Sequence, residues 1–138
     1  MAVVLDTHAV IWYLSDSKDL SPTARLIIET TERNGEDVFV SAISLVEIVY
    51  LTERGRLPQA ALDRLANALK DSTRSLVVAP LDGAVAEAVK TIPRDVVPDM
   101  PDRIIAATAV RLNAELVTRD RRLHTAGALR SAGIRIVW

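Results

Sequence analysis

The 138-residue sequence contains no cysteine, and this absence excludes a disulfide scaffold and metal sites built from thiolates. It also fits a reducing compartment, and we expect a cytoplasmic protein. The only histidines are His8 and His124, too few for a typical zinc site in a chain without cysteine.

Long apolar runs are missing as well. No stretch approaches the roughly 20 apolar residues that cross a bilayer, and the N-terminus lacks the basic segment of a signal peptide. We therefore expect no membrane partner.

Glycine is scarce and scattered, with five residues in the whole chain. Neither the glycine-rich loop of nucleotide triphosphatases nor that of dinucleotide-binding folds can be formed from them. Aromatic residues supply only 4% of the chain, so valine, isoleucine, leucine and alanine must fill the interior. The apolar fraction of 49% and charged fraction of 25% are those of an ordinary globular protein. The length predicts a single domain spanning residues 1–138.

Short, continuous apolar runs alternate with segments of helical periodicity. The predicted strands are VVL (3–5), VFVS (38–41), SLVVAPL (75–81), ELVT (115–118) and IRIVW (134–138). Strands buried on both faces and separated by helices indicate a parallel sheet covered on each side. The predicted class is therefore α/β, a three-layer α/β/α sandwich with a mainly parallel central sheet.

Four acidic residues follow these strands at equivalent places: Asp6, Glu47, Asp102 and Asp120. Ligands of open parallel sheets bind beyond the carboxyl ends of the strands, so we expect the four side chains in one pocket. Clustered carboxylates repel one another unless a cation neutralises them, and Mg²⁺ or Mn²⁺ prefers such oxygen ligands. The set predicts a metal-dependent site that hydrolyses a phosphodiester with a metal-activated water.

Helix capping is the alternative explanation of each acid. Asp6 and Asp102 are good N-cap residues, Ser44 and Glu47 match a capping box, and Asp120 can begin a short helix. If the acids only cap helices, the chain is a non-catalytic protein-interaction module. A phosphoryl-transfer enzyme with Asp6 as nucleophile is a weaker alternative, because such enzymes carry a second aspartate two residues later and this chain has His8.

Motifs along the whole chain carry a resemblance to a known family. LDTHAVIWYL at the N-terminus, SLVEI, PDRIIAATA and LVTRD resemble, in order and spacing, the PIN domain, and most closely the VapC-like toxins of bacterial type II toxin-antitoxin pairs. The resemblance implies a metal-dependent endoribonuclease whose acidic positions fall on Asp6, Glu47, Asp102 and Asp120 and hold Mg²⁺ or Mn²⁺. It also implies an RNA substrate, a cognate antitoxin protein and a homodimer.

Further side chains near the acids are candidates for supporting roles. Asp99 precedes Asp102 in a proline-rich loop, and we favour Asp102 because it is expected to begin the helix. The hydroxyl candidates are Thr7, Ser41 and Thr118, and His8 is a candidate of lower rank. The net charge is only −1, yet residues 101–138 contain seven arginines and three acids. Four of these arginines stand near the acids and could hold RNA phosphates: Arg103, Arg119, Arg121 and Arg122.

Overall fold

The computed structural model describes residues 1–138, and five β-strands alternate with helices along the chain. The strands are β1 (Val3–Leu5), β2 (Val38–Ser41), β3 (Leu76–Ala79), β4 (Glu115–Val117) and β5 (Ile136–Val137). The helices are α1 (Thr7–Leu14), α2 (Pro22–Arg33), α3 (Ala42–Glu53), α4 (Gln59–Lys70), α5 (Gly83–Val89), α6 (Met100–Leu112), α7 (Arg121–Thr125) and α8 (Gly127–Ser131). None of these helices combines the length and the apolar character that a membrane crossing requires.

All strand pairs of the sheet are parallel, and the strand order is β3-β2-β1-β4-β5. The predicted α/β class with a mainly parallel sheet is confirmed. The chain leaves β1 towards β2 on one side and later returns to β4 on the other, so β1 marks the switch point where ligands of such sheets bind. Leu5 pairs with Val40 and with Val117. The next residue of each strand therefore lies at the same edge of the sheet.

Two apolar clusters cover the two faces of the sheet. Val3 and Leu5 of β1 belong to the first cluster, together with Ile28 of α2 and Leu65 of α4. Val4, between them in the sequence, belongs to the second cluster with residues of α5 to α8. Successive side chains of a strand point to opposite faces, so one short apolar run serves both cores. The result is a sheet between two helical layers, as the sequence predicted.

The capping residues of two helices differ from those suggested by the sequence. The capping box is wrong, because β2 runs directly into α3 and its last residue, Ser41, is the N-cap, with its hydroxyl accepting a hydrogen bond from the Ile43 amide at 3.2 Å. Asp102 does not begin α6 either. Asp99 caps that helix and accepts from the Asp102 amide at 3.1 Å, and a proline in the first turn is compatible with this start.

The C-terminal segment is more helical and less extended than predicted. Helix α8 was not predicted, and the final strand is limited to Ile136–Val137 instead of 134–138. Helices of five residues are not stable on local propensity alone. Leu123 of α7 and Leu129 of α8 are fully buried in the second cluster, so tertiary packing holds both helices in place.

Candidate active site

An open cavity of about 380 Å³ lies at the carboxyl end of β1. Nine residues line it: Asp6, Thr7, His8, Trp12, Glu47, Asp99, Asp102, Arg119 and Asp120. The structure thus brings the four acids predicted from the sequence to one cavity and adds Asp99. Ser41 does not line the cavity and serves as a helix cap.

Asp6 is held at the centre of this edge by β1 and its neighbour β4. Its Oδ1 caps α1 by accepting a hydrogen bond from the Ala9 amide at 2.8 Å, and its Oδ2 accepts one from the Thr118 hydroxyl at 2.5 Å. Thr118 is fully buried, and its Oγ1 also accepts from the Asp120 amide at 3.0 Å. Burial raises the pKa of the Asp6 carboxyl, while the hydrogen bonds from Thr118 and Ala9 lower it. One hydroxyl therefore fixes the relative positions of two of the acids.

Glu47 enters the cavity from the second turn of α3. Its Oε1 accepts a hydrogen bond from the Thr7 hydroxyl at 2.5 Å, and the Thr7 and Ser44 hydroxyls are 2.9 Å apart. Thr7 and Ser44 are both buried, so this contact joins the starts of α1 and α3. Partial burial raises the pKa of Glu47, the Thr7 hydrogen bond lowers it, and the neighbouring Asp99 raises it further. Ser44 has a positioning role that the sequence did not reveal, because its pairing with Thr7 spans 37 residues.

The Asp102 carboxyl also has a strongly raised pKa. Its pKa rises from an ordinary value of 3.8 to about 7, first because the group is partly buried and then because Asp99, Asp120, Glu47 and Asp6 add negative potential. No protein group donates a hydrogen bond to this carboxyl. A partly buried acid without a partner is unfavourable for folding, so its position favours a role in binding or catalysis.

The capping explanation accounts for some acids and leaves others unexplained. Asp6, Asp99 and Asp120 all cap helices; the Asp120 side chain accepts from the Arg122 amide at 2.9 Å. Glu47 and Asp102 cap nothing. The helix starts gathered at this edge contribute partial positive charge, which suits both carboxylates and a phosphate group.

The chemistry of the donors fits a divalent cation, although they do not form a ready coordination shell. No three acidic or histidine side chains approach one another closely enough to hold an ion between them. Mg²⁺ commonly uses one or two carboxylates and retains several waters, so it does not require a closed protein cage. Burial first and the neighbouring acids second raise the pKa values of Asp6, Glu47 and Asp102, and a bound cation would favour the charged form of each carboxyl.

The four candidate arginines occupy different environments. Arg103 donates hydrogen bonds to the carbonyl oxygens of Val89 and Ile92 at 2.8 to 3.1 Å. Its guanidinium thus satisfies carbonyl groups at and just after the C-terminal end of α5 and is not available to bind an RNA phosphate. Arg121 and Arg122 are exposed and lie outside the cavity lining. Arg119 alone of the four lines the cavity, and its guanidinium lies over the ring of Trp12.

The sequence profile of the PIN-domain family matches residues 3–129 of the chain. The chain belongs to the PIN-domain family. The resemblance carried by the sequence motifs is thereby confirmed. The chain is 33% identical over 125 residues to ribonuclease VapC22 of Mycobacterium tuberculosis. The alignment covers 89% of this chain and 90% of the relative.

Solved structures with the same fold support this PIN architecture. The chain superimposes with a TM-score of 0.71 and 16% identity on a chain of VapBC2 from Rickettsia felis bound to a promoter DNA fragment, covering 99% and 97% of the two chains. A DNA-bound VapBC from Salmonella typhimurium gives a TM-score of 0.70 at 21% identity, covering 99% and 96%. A toxin-antitoxin complex from Klebsiella pneumoniae gives 0.63 at 22% identity, covering 89% and 90%. At these identities the likeness establishes the fold alone.

Proposed function

We propose that this PIN-domain protein is a metal-dependent endoribonuclease and the toxin component of a toxin-antitoxin pair. The observation that carries the proposal is the cavity at the carboxyl end of β1 that five carboxylates share, two of which cap no helix. The similarity to a ribonuclease over most of both chains favours RNA as the substrate.

Asp6, Glu47, Asp102 and Asp120 are the residues that would hold Mg²⁺ or Mn²⁺. A bound divalent cation supplies the positive charge that polarises a water and the phosphate of the substrate. The chain contributes the positions of the ligands: Thr118 orients Asp6 and the Asp120 backbone, and Thr7 orients Glu47. Asp102 must lose its proton to bind a cation, so cation affinity should rise as the pH passes about 7.

Replacement of Asp6 by asparagine tests the proposal. Asparagine is an equally good N-cap, so the Asp6→Asn variant should keep the start of α1 and the fold, which circular dichroism can check. Cleavage of RNA in Mn²⁺ should fall at least about 100-fold, because a charged ligand contributes several kcal/mol to the transition state. The matched control is Asp19→Asn, an exposed aspartate outside the cavity. Full activity of Asp6→Asn, or of the wild type in excess EDTA, would contradict the proposal.

The non-catalytic alternative is favoured by one observation, namely that three of the five acids cap helices. Thermal melting with and without millimolar Mg²⁺ or Mn²⁺ separates the two functions. A site that holds a cation is stabilised by it, whereas acids that only cap helices give no shift.

We propose in addition that the chain binds a cognate antitoxin and forms a homodimer. The similar structure from Klebsiella pneumoniae is a toxin-antitoxin complex, and the one from Rickettsia felis is VapBC2 bound to a promoter DNA fragment. Large apolar side chains are exposed on α2 and α3, where Leu26 is 59%, Val46 51% and Tyr50 59% exposed. Light scattering measures the molar mass of the purified chain and so tests whether it is a dimer. If the double variant Val46→Glu, Tyr50→Glu is still a dimer, these two residues do not form the dimer interface.

A further inference from the structure

Arg119 is the one guanidinium in the cavity wall, and it is not paired with any of the five carboxylates around it. Its ion-pair distance to every acid exceeds 4.0 Å, whereas its guanidinium carbon lies 4.6 Å from the centroid of the Trp12 ring. Arg119 directly follows Thr118 and directly precedes Asp120 in the chain. A cation next to several anions is thus held against an aromatic ring instead.

Trp12 is itself fixed by further rings. Its indole packs against the first apolar cluster, the His8 ring lies at 5.4 Å with a tilted orientation, and the Trp138 ring meets it edge-on at 5.8 Å. His8 and Trp12 are one helical turn apart on α1, so both face the cavity. The aromatic group is therefore preorganised beside the acids and loses little side-chain freedom when a ligand packs on it.

We propose that Trp12 and Arg119 form a subsite for an unpaired nucleobase of the RNA strand, next to the phosphate that is cleaved. This inference rests on the proposed nuclease function and adds the feature of the substrate that the site recognises. Bases of single-stranded RNA pack on aromatic rings and on arginine guanidinium planes. A phosphate contact alone would use the charge of Arg119 but would not require the aromatic group beneath it.

The negative charge of the cavity explains why a base-binding subsite would help RNA to bind. Five carboxylates line the same cavity and repel the RNA backbone, so the strand needs attractive contacts that do not depend on the acids. Base stacking is sequence-tolerant and largely independent of charge, and it would hold the strand beside the acids.

Binding of two oligomers to the intact protein in EDTA tests the proposal. One probe is a fluorescently labelled, unstructured 12-nucleotide RNA, and the other is a ribose-phosphate oligomer of the same length without bases. The wild type should bind the RNA about 5- to 150-fold more tightly than the base-free oligomer, the range that stacking of one base supports. Trp12→Leu should remove most of this preference and leave binding of the base-free oligomer unchanged.

Further variants separate stacking from charge and from loss of fold. Trp12→Phe keeps an aromatic ring and should retain part of the preference, which guards against a misfolded Trp12→Leu protein. Arg119→Lys keeps the positive charge and should bind the base-free oligomer like the wild type, while its preference for RNA falls. The matched control is Arg56→Gln, which removes an exposed arginine in the turn after α3, outside the cavity, and should change neither binding constant more than twofold.

Three outcomes would overturn the subsite: equal binding of both oligomers by the wild type, equal weakening of both by Trp12→Leu, or no weakening of either. Cleavage assays on the same proteins in Mn²⁺ keep this test distinct from that of the nuclease. If the wild type prefers the base-containing probe but cleaves no RNA, the proposed nuclease function is refuted and the base-binding subsite is supported. If the wild type cleaves RNA but binds both oligomers equally, the nuclease function is supported and the base-binding subsite is refuted.

Discussion

The cation-free protein should become more stable when Asp102 is replaced by asparagine, and the gain should depend on pH. The pKa of Asp102 rises from 3.8 to about 7 on folding, so between these values the native state binds a proton that the unfolded state releases. Stability then decreases as the pH rises through this window. The Asp102→Asn variant carries no titrating group at this position and should lack this part of the decrease.

The size of the effect follows from the pKa. A rise of about three pKa units corresponds to about 4 kcal/mol at about 1.4 kcal/mol per unit. Asp102 is only partly buried, so solvent screening reduces the figure, and we expect about 1 to 3 kcal/mol at pH 7.5. At pH 4 the carboxyl is protonated in the native state and about 40% protonated in the unfolded state, whose pKa is 3.8, so the difference between the wild type and the variant should shrink to about 0.5 kcal/mol or less.

Urea denaturation in EDTA at pH 4, 5.5 and 7.5 measures the difference directly. The matched control is Asp63→Asn, an exposed aspartate on α4 outside the cavity, which should change stability by no more than about 0.5 kcal/mol at each pH. Equal stability of the wild type and Asp102→Asn at pH 7.5 would refute the reasoning. A variant that is less stable than the wild type at that pH would do so as well.

Three other predictions concern the supports of the site and the fold. Thr118→Val removes the hydrogen bond to Asp6 and should lower the free energy of unfolding, measured by urea denaturation, by about 1.5 to 3 kcal/mol. An unchanged free energy of unfolding would contradict this role of the hydroxyl. Mg²⁺ at about 100 times its dissociation constant should stabilise the wild type by about 2.7 kcal/mol, seen as a rise in melting temperature that Asp6→Asn largely loses. Glu32→Ala removes the carboxylate that joins the Tyr13 hydroxyl (2.7 Å) and Arg74 (3.3 Å), and should cost about 1 to 3 kcal/mol. Because burial and Glu32 both raise the pKa of Tyr13, its spectrophotometric titration should also move to lower pH, and an unchanged titration would contradict the role of Glu32.

The fold was predictable because local patterns and the parallel sheet agree with each other. Continuous apolar runs located every strand. A serine followed by proline is typical of a helix start, and at α2 the Ser21 hydroxyl accepts from the Ala24 amide at 3.0 Å. The start of α6 was misplaced because Asp99 and Asp102 are both good caps and Pro101 fits the first turn in this register. The short helix α8 was missed because burial of Leu129 holds it, and burial is a tertiary property.

The candidate site was only partly predictable. Strand ends placed Asp6 and Asp120 at one edge of the sheet, since β1 and β4 are neighbours. The contacts that orient the acids pair residues far apart in sequence, such as Thr7 with Ser44, and no local pattern indicates them. Trp12 is not among the site residues predicted from the sequence, although its spacing of four residues from His8 on one helix could have placed it on the cavity face. The catalytic and metal-binding roles of the four acids stay predictions.

The hydrogen bond between Thr118 and Asp6 joins residues 112 positions apart in the chain. Because β4 comes near the end of the sequence, a nascent chain on the ribosome contains Asp6 well before Thr118, which orients it, and Asp120 have been made. We therefore expect C-terminally truncated translation products to be inactive. On the proposed nuclease function, cleavage of RNA would therefore begin only when synthesis of the chain is nearly complete.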